Sequence, residues 1–360
     1  MSISDNSTNS QSHTKRHLFP SPQKILFINN KGGVGKTSIA FNTASKLAQK
    51  GYKICIVDLD PQCNTTMYAV GNNIEDSESD SLFTEDYQNQ NPKTIYEIIK
   101  PQIEGAGDVL YSEKPKKLKE NLYLISGDLS LSLYEEAASN AYIQAQAGQI
   151  LGFRIISAIN RYIDRTGRDL DIDIFIMDTS PSLGMMNKLF LLGSDYFVVP
   201  VLSDAFSYQG IENLSSTLTR WKSEWKNVKR TVAQTNSIPS DLILWGEPKC
   251  LGYISNKEKP YNKQQTKSQQ KWATKILESA NINLTEHAEK KSAQNIKMIG
   301  LADYGTIVNE SQRVNKAIFE MNSKDTQQIN IKGSKDLFIK SNEEFETLAD
   351  SLIERINPTN

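Results

Sequence analysis

Short apolar runs alternate along this chain with stretches whose apolar residues have helical spacing. Residues 24–30 (KILFINN) form an apolar run that predicts a buried strand, and apolar positions over 37–51 recur with helical spacing up to a stop at Gly51. Residues 52–60 (YKICIVDLD) predict a second buried strand. Strand, loop, helix and strand in this order build a βαβ unit with parallel strands, so this part of the chain begins an α/β sheet.

Further apolar runs extend the sheet. Their apolar character is continuous, which is typical of strands that helices cover on both faces. Additional strands are predicted at 121–127, 171–178, 196–201 and 249–254, and helices at 94–100, over a stretch that ends near Tyr162, at 219–230 and at 341–356. We find no internal repeat or interdomain linker in the sequence. We therefore predict a single α/β domain over 22–356, with a mostly parallel, doubly wound sheet, helices on both faces and insertions.

Three polar stretches lie outside this pattern. Residues 1–21 are rich in Ser, Asn and Gln and predict a disordered tail, and 357–360 predict a short C-terminal tail. Residues 71–91 hold six acids and no base, which predicts an exposed, mobile insertion. No run approaches the roughly 18 apolar residues of a membrane span. We expect a cytoplasmic protein without membrane insertion.

The strongest chemical signal is NKGGVGKTS at 30–38, which follows the first strand and opens the first helix. Its glycines let successive backbone N–H groups turn inward, and the helix N-terminus attracts anions, so the segment predicts a phosphate-binding loop. Lys36 can reach the outer phosphates of a nucleotide, and the Thr37 hydroxyl is placed to bind Mg²⁺. The alternative is a glycine-rich turn that only joins strand to helix. The residues that we assign to nucleotide binding in this loop are Lys31, Gly32, Gly33, Val34, Gly35, Lys36, Thr37 and Ser38.

Three carboxylates follow predicted strands. Asp58 and Asp60 end the second strand two residues apart, and therefore lie on one face of an extended segment, whereas Asp178 ends the strand at 171–178. A carboxylate near Mg²⁺ can support the ion or position water for in-line attack on a γ-phosphate. We predict that Thr37, Asp60 and Asp178 serve the metal. The alternative for Asp58 and Asp60 is a pair of acids that face solvent.

These motifs resemble those of the ParA/MinD family of ATPases. KGGVGKT is similar to the family's deviant Walker A loop, whose signature lysine, here Lys31, reaches across a sandwich dimer to the nucleotide of the partner subunit. Asn30 stands where some members have Gly, and Asn tolerates left-handed backbone better than other non-Gly residues. By this resemblance VDLDPQCNTT is the Walker A′ motif, in which Asp60 orients or activates the attacking water and Asp58 supports the Mg²⁺ shell. The catalytic residues that the resemblance implies are Lys31, Lys36 and Asp60.

The segment that follows Asp178 extends the resemblance. DTSPSLG looks like the family's loop after the Walker B aspartate, with Ser180 in place of the first of two prolines. Residues 24–67 and 121–215 carry the specific resemblance, and 301–320 resemble more weakly the late loop and helix near the base. The resemblance implies the P-loop NTPase fold.

The activity implied by the resemblance is that of a ParA-type ATPase with ATP and Mg²⁺ as cofactors. Such a protein forms a homodimer on ATP binding, binds nonspecific DNA in that state and is released when a ParB-like or other partner protein stimulates its weak hydrolysis. Plasmid or chromosome partition is the implied process, with nucleoid association. We expect no N-terminal helix-turn-helix domain, because only about twenty residues precede the first strand.

Charge indicates where DNA would bind. The chain carries a formal charge of −1, so contact with nucleic acid requires a local patch. Residues 249–297 hold ten lysines against four glutamates, and 219–230 add a further basic excess. This composition suits salt-sensitive phosphate contact, although a solvated lysine-rich face is the alternative. Trp221 and Trp225 lie four residues apart, and we predict them on the packed face of a helix rather than on DNA.

Other functions are weighed against the same residues. The main alternative is an ATPase that positions or regulates a non-DNA protein cargo, of MinD-like or cellulose-synthesis-associated type. The helix at 341–356 is acidic on its polar face, so we expect it to dock on its own domain rather than on an anionic bilayer. An iron–sulfur reductase would need cysteines after the predicted strands, and we find no motif for a metabolic ligase. The three cysteines fit no disulfide framework or CxxC pair, which favours a reducing compartment.

Overall fold

The structure is a computed structural model that describes residues 19–71, 92–235, 238–258, 267–325 and 334–357. Residues 1–18 of the predicted tail, nearly all of the predicted acidic insertion, and Lys259 and Lys263 of the lysine-rich region lie outside these ranges. At the start of the described chain, Phe19 packs into the core with 5% of its surface exposed. The core therefore reaches into the segment 1–21, which the sequence predicts to be a disordered tail.

Strands and helices alternate over most of the described chain. The strands are β1 (Gln23–Phe27), β2 (Ile54–Leu59), β3 (Lys116–Lys119), β4 (Leu122–Ile125), β5 (Ile174–Thr179), β6 (Tyr196–Leu202), β7 (Lys249–Glu258) and β8 (Lys297–Ala302). The helices are α1 (Lys36–Gln49), α2 (Asn64–Val70), α3 (Ile95–Ile103), α4 (Leu131–Gln146), α5 (Ile150–Ile156), α6 (Ala158–Leu170), α7 (Met185–Gly193), α8 (Ala205–Thr235), α9 (Lys267–Asn283), α10 (Lys290–Gln294), α11 (Ile307–Arg313) and α12 (Ser334–Ile356).

The strands form one sheet in the order β3-β4-β2-β5-β1-β6-β7-β8. Neighbouring strands run parallel, apart from the edge strand β3, which is antiparallel to β4. Because β1 lies between β5 and β6, the direction of winding reverses at β1. Open parallel sheets bind their ligands at such a reversal, at the carboxyl ends of the strands. The predicted α/β fold with a doubly wound sheet is confirmed.

The sheet separates two apolar layers. Along β1, Leu26 belongs to one layer, and Ile25 and Phe27 belong to the other, because successive strand residues point to opposite faces. The layer of Leu26 packs against α3 to α9, and the other layer packs against α1, α2, α11 and α12. Helices therefore cover both faces of the sheet, which accounts for the continuous apolar runs of its central strands.

The stretch predicted as one long helix up to Tyr162 is instead divided into α4, α5 and α6. Gly148 has φ of 76°, which is left-handed backbone that favours glycine, and it follows the end of α4. Gly152 in α5 lies so close to α4 that a Cβ would come within 2.4 Å of the Ala141 carbonyl oxygen. Glycine at these two positions lets α5 fold back onto α4.

The two edge strands were not predicted, and only β3 lacks an apolar run. β3 has the sequence KKLK, and β8 begins with a lysine and contains a glycine. Edge strands often carry charged side chains, which discourage pairing with other chains. At β8, the amine of Lys297 forms an ion pair with Glu258 of β7 at 2.8 Å. Polar composition therefore hides β3, whereas β8 is a short apolar run that the sequence analysis missed.

Two predictions about helix packing are confirmed. Trp221 and Trp225 of α8 are 4% and 0% exposed, so both lie in the core. α12 docks on its own domain through a buried apolar face that includes Phe345 and Leu352. Within the described ranges, no helix is both long and apolar enough to cross a membrane.

We predict that Trp225→Ala destabilises the fold strongly. Trp225 is fully buried and its indole N–H donates to the Leu244 carbonyl oxygen at 2.9 Å, so truncation removes packing and leaves that oxygen unpaired. The expected loss is about 3–5 kcal/mol in the free energy of unfolding, measured by urea denaturation. Trp245→Ala is the matched control, because Trp245 is 56% exposed, and its loss should stay under about 1 kcal/mol. Equal losses in both variants would contradict the burial of Trp225.

Candidate nucleotide and magnesium site

The glycine-rich loop joins β1 to α1 at the carboxyl edge of the sheet. Gly33 and Gly35 have φ of 72° and 91°, so the loop uses left-handed backbone at two glycines. Asn29, at the base of the loop, donates its side-chain amide to the Pro200 carbonyl oxygen at 2.6 Å and accepts the backbone N–H of Lys31 at 2.9 Å. The loop is therefore fastened to β6 before any ligand binds.

A second fastening comes from Asn256 in β7, which the sequence analysis missed. Its side-chain amide donates to the Val34 carbonyl oxygen at 2.9 Å, and a Cβ on Gly35 would lie 2.2 Å from the same nitrogen. Only glycine at position 35 leaves room for this contact. No local motif marks Asn256, because the contact depends on β7 lying beside β6 in the sheet.

Lys36 opens α1 and is 7% exposed. Burial lowers the pKa of its amine, and the carboxylates of Asp178 and Asp60 act in the opposite direction. The predicted phosphate ligand and two of the predicted acids are therefore brought together. A cation buried at the mouth of a loop of backbone N–H groups suits the binding of a polyphosphate.

Asp178, near the end of β5, is fully buried. The hydroxyls of Thr37 and Thr65 both donate to its Oδ2, at 2.7 and 2.8 Å. Among the described residues its Oδ1 has no hydrogen-bond partner, although it is buried. Burial raises the pKa of Asp178, whereas the two hydroxyl hydrogen bonds and Lys36 lower it. An unpaired buried carboxylate oxygen beside a loop threonine fits a hard divalent cation such as Mg²⁺.

Asp58 of β2 lies beside Asp178 in the strand register and is also fully buried. Its Oδ2 accepts the backbone N–H and the hydroxyl of Thr66, both at 2.7 Å, and its Oδ1 accepts the backbone N–H of Asp60 at 3.2 Å. The Thr66 hydroxyl in turn accepts the backbone N–H of Gly127 at 2.8 Å. Burial, and then the charge of Asp178, raises the pKa of Asp58 to about 7. Because both of its oxygens accept hydrogen bonds from residues 60 and 66, Asp58 holds the segment between β2 and α2 in place.

Asp60 lies directly after β2, at the start of the turn that leads to α2. It is 5% exposed, and its Oδ1 accepts the backbone N–H of Gln62 at 2.9 Å, so the turn after β2 fixes the direction of the carboxylate. Its charge acts on Lys36. This arrangement is compatible with the predicted role of Asp60 toward water.

Lys31, predicted to act in the site of a partner subunit, contacts its own chain here. Its amine forms an ion pair with Asp204 and lies 5.8 Å from the ring centre of Phe206. Asp204 also accepts the backbone N–H of Ser207 at 2.8 Å and so caps the start of α8. Burial acts to raise the pKa of Asp204, but the hydrogen bonds from Lys31 and Ser207 and the charge of Lys31 together hold it below its usual range.

The loop after Asp178 is held by two side chains. Asn187 donates its amide to the carbonyl oxygens of Ser180 and Ser182, at 2.9 and 2.8 Å. Glu135 of α4 accepts the backbone N–H groups of Met185 and Met186, which begin α7, at 2.6 and 3.0 Å. Glu135 lies within the range 121–215 that carries the family resemblance, but no sequence motif gave it a role. Its carboxylate satisfies the free N–H groups at the start of α7.

A cavity of about 220 Å³ lies beside the glycine-rich loop. Its walls come from the loop, α1, the end of β7 and the segment 301–320, which the sequence analysis associated only weakly with the base. Polar side chains in the wall include Asn42, Asn256 and Asn309, and apolar ones include Ile39 and Phe345. A partly apolar cavity with side-chain amides in its wall, beside a phosphate loop, suits a nucleoside.

Part of the predicted basic surface contacts the chain itself and is not free to contact DNA. On α8, Lys222 is paired with Glu247 at 3.5 Å, and Lys229 donates to the Trp245 carbonyl oxygen at 2.8 Å. Two helices, α8 and α9, carry exposed basic residues. These include Arg220, Lys226 and Arg230 of α8 and Lys267 and Lys271 of α9. Both helices therefore carry candidate contacts to DNA phosphates.

The sequence is similar to an AAA domain family and to several proteins of bacteria and archaea. Residues 22–232 match the family model AAA_31, described as an AAA domain. An uncharacterized protein of Methanocaldococcus jannaschii is 28% identical over 302 residues, which cover 83% of this chain and 91% of that protein. The cell division protein PomZ of Myxococcus xanthus is 27% identical over 57% of this chain and 54% of its own length. A virulence plasmid ParA family protein of Chlamydia psittaci is 30% identical over 53% of this chain and 61% of its own length.

Solved structures share the fold at lower identity. A protein from Corynebacterium diphtheriae superposes with a TM-score of 0.67 at 22% identity, covering 94% of this chain and 100% of that chain. A putative plasmid partition protein from Borrelia burgdorferi bound to AMPPNP superposes with a TM-score of 0.54 at 18% identity, covering 93% of this chain and 100% of that chain. These similarities extend the shared fold beyond the region of the family match.

The raised pKa of Asp58 predicts a pH dependence of stability. Its folded value of about 7 exceeds the ordinary value of 3.8, so protonated Asp58 stabilises the fold below about pH 4, and this contribution is lost as the pH rises through 7. In EDTA, we expect the unfolding temperature of the wild type to fall between pH 5 and pH 8 by at least about 2 °C more than that of Asp58→Asn.

Asp169→Asn serves as the control for that comparison, since Asp169 is an exposed partner of Arg165. Its unfolding temperature should follow the wild type at both pH values. If Asp58→Asn also followed the wild type, the shift in the pKa of Asp58 would be refuted.

Proposed function

This chain belongs to the AAA domain family AAA_31, within the ParA/MinD type of P-loop ATPases, and from this membership we propose that it is an ATP-dependent partition protein. In this proposal it dimerises around two Mg·ATP, binds nonspecific DNA as a dimer, and leaves DNA when a partner protein stimulates hydrolysis. The observation that carries the proposal is the convergence of Lys36, Thr37 and Asp178 beside the glycine-rich loop. The process is plasmid or chromosome partition, in line with the plasmid relative.

Different residues of the chain bind the phosphates of ATP, bind Mg²⁺ and assist hydrolysis. The N–H groups of the loop and the amine of Lys36 bind the phosphates. Thr37 and Asp178 hold Mg²⁺, which when bound neutralises charge on the β- and γ-phosphates. Asp60 orients the attacking water and can accept its proton. Hydrolysis by these groups alone is slow, because the site is completed by Lys31 of the partner subunit and by a stimulating protein.

Exposed apolar side chains around the site support dimerisation through this face. Met67, Leu129, Leu133 and Phe206 are 43%, 50%, 59% and 71% exposed. They follow β2, β4 and β6, so they lie at the same edge of the sheet as the glycine-rich loop. Apolar groups gathered around a binding site are typical of a surface that a protein covers. A second copy of the chain would bury them and bring Lys31 to the partner's nucleotide.

The exposed cations of α8 and α9 support DNA binding without sequence preference. Lysine and arginine side chains that face solvent can each contact a backbone phosphate and release a counterion. Two copies of the surface in one dimer would contact more phosphates than one copy. Because ATP binding promotes dimerisation, it would thereby raise the affinity for DNA.

We predict that Lys31→Ala retains ATP binding and loses ATP-dependent dimerisation. The loop N–H groups and Lys36 remain, so nucleotide affinity should change less than about threefold, while the contact with the second nucleotide disappears. Nucleotide titration and analytical ultracentrifugation with ATP measure the two properties. Lys36→Ala is the control and should lose both. A Lys31→Ala protein that still dimerises would exclude the sandwich arrangement.

We predict that duplex DNA of random sequence binds tightly with ATP and weakly with ADP or without nucleotide. Because phosphate contacts release counterions, the affinity should fall steeply across a salt series measured by fluorescence anisotropy. Combined substitution of Lys226 and Arg230 by Ala removes up to four phosphate contacts from the dimer and should lower the log–log salt slope by about 3 to 4. Lys222→Ala is the matched control, because Lys222 is paired with Glu247.

The result also separates the two candidate functions. Absence of DNA binding in every nucleotide state, together with ATP-dependent dimerisation, would favour the positioning of a protein cargo. The similarity to the cell division protein PomZ is the observation that supports this second function.

A further inference from the structure

Thr65 occupies the first turn of α2, five residues after Asp60. It is fully buried, and its hydroxyl donates to Oδ2 of Asp178 at 2.8 Å. Cys63, which precedes α2, has φ of 53°, and this left-handed residue turns the chain so that α2 starts beside β5. The contact joins residues 113 positions apart, so it ties the segment after β2 directly to the aspartate of β5.

Two threonine hydroxyls therefore share one oxygen of Asp178. Thr37 approaches from α1 at 2.7 Å, and Thr65 approaches from α2 at 2.8 Å. The other oxygen, Oδ1, is buried and has no hydrogen-bond partner among the described residues. With Oδ2 held from two elements, the direction of Oδ1 is fixed.

Thr66, the residue after Thr65, likewise donates hydrogen bonds to the second buried aspartate, Asp58. Thr66 donates its backbone N–H and its hydroxyl to Asp58, both at 2.7 Å. Consecutive residues of α2 thus contact two carboxylates that are paired across β2 and β5. The two threonines differ in one respect, because only Thr65 contacts the carboxylate that has an unpaired oxygen.

We propose that Thr65 is a positioning residue for the divalent cation that Asp178 serves. The inference rests on the proposed function, because it takes Mg·ATP as the ligand. Thr37 belongs to the glycine-rich loop and is assigned to the metal itself, whereas Thr65 contacts Asp178 from outside the loop. Partners that orient the groups around a metal in this way commonly change metal affinity 10–100-fold when they are mutated.

Thr65→Val tests the inference, because valine keeps the shape of threonine and removes the hydroxyl. We expect the apparent affinity for Mg²⁺ to fall about 10–100-fold, measured by Mg²⁺ titration of the binding of a fluorescent ATP analogue. Binding of the analogue in EDTA should match the wild type, since Asp178 has no metal to present there. Thr65→Ser restores the hydroxyl and should return the Mg²⁺ affinity to within about threefold of the wild type.

Thr43→Val is the matched control. Thr43 of α1 is fully buried like Thr65, but among the described residues its hydroxyl has no hydrogen-bond partner. This variant should bind Mg²⁺ as the wild type does, and unfolding temperatures in EDTA check that all three variants are folded. The inference is overturned if Thr65→Val keeps the wild-type Mg²⁺ affinity, if Thr65→Ser fails to restore it, or if Thr43→Val loses it equally.

The same titration separates this inference from the proposed function. A wild-type protein that binds the ATP analogue with no dependence on Mg²⁺ would overturn both. A wild type with Mg²⁺-dependent binding that Thr65→Val retains would overturn only the role of Thr65. Magnesium dependence in the wild type, loss in Thr65→Val and recovery in Thr65→Ser together support the positioning role.

Discussion

Two carboxylates buried side by side at the carboxyl ends of β2 and β5 determine how this site is built. Asp58 and Asp178 are paired in the strand register, and neither is exposed. Burying charge without partners is unfavourable, so donors from other elements must converge on them. Thr37 comes from α1, and Thr65 and Thr66 come from α2. The hydrogen bonds to the pair therefore fix the glycine-rich loop, the segment after β2 and the end of β5 relative to one another.

The central sheet and the chemistry of the loop could be predicted because their signals are local in the sequence. A glycine-rich loop between an apolar run and a helix, and aspartates at the ends of apolar runs, each occupy a few consecutive residues. Asn256 and Glu135 could not be found in this way. Their partners lie 222 and 50 residues away, and the roles of both depend on which elements become neighbours. Periodicity indicates which residues are buried, but it does not indicate what a polar side chain will meet.

The edges of the fold escaped prediction for a related reason. β3 and β8 lie at the ends of the sheet and each pairs with one strand only, so an edge strand such as β3 can be rich in lysine. The turn between α4 and α5 depends on Gly148 and on the close approach at Gly152, which apolar spacing does not report. The family resemblance supplied what local patterns could not, namely that separate motifs belong to one site.

The contact between Asn256 and Val34 has a consequence for how the protein is made. The ribosome produces the glycine-rich loop early, and the amide that fastens it follows 222 residues later. At about 5–20 residues per second, the loop waits roughly 10 to 45 s for this partner. During that interval the nascent chain displays the loop without its final brace. The glycine-rich loop thus acquires its full set of contacts only late in translation, when β7 has joined the sheet.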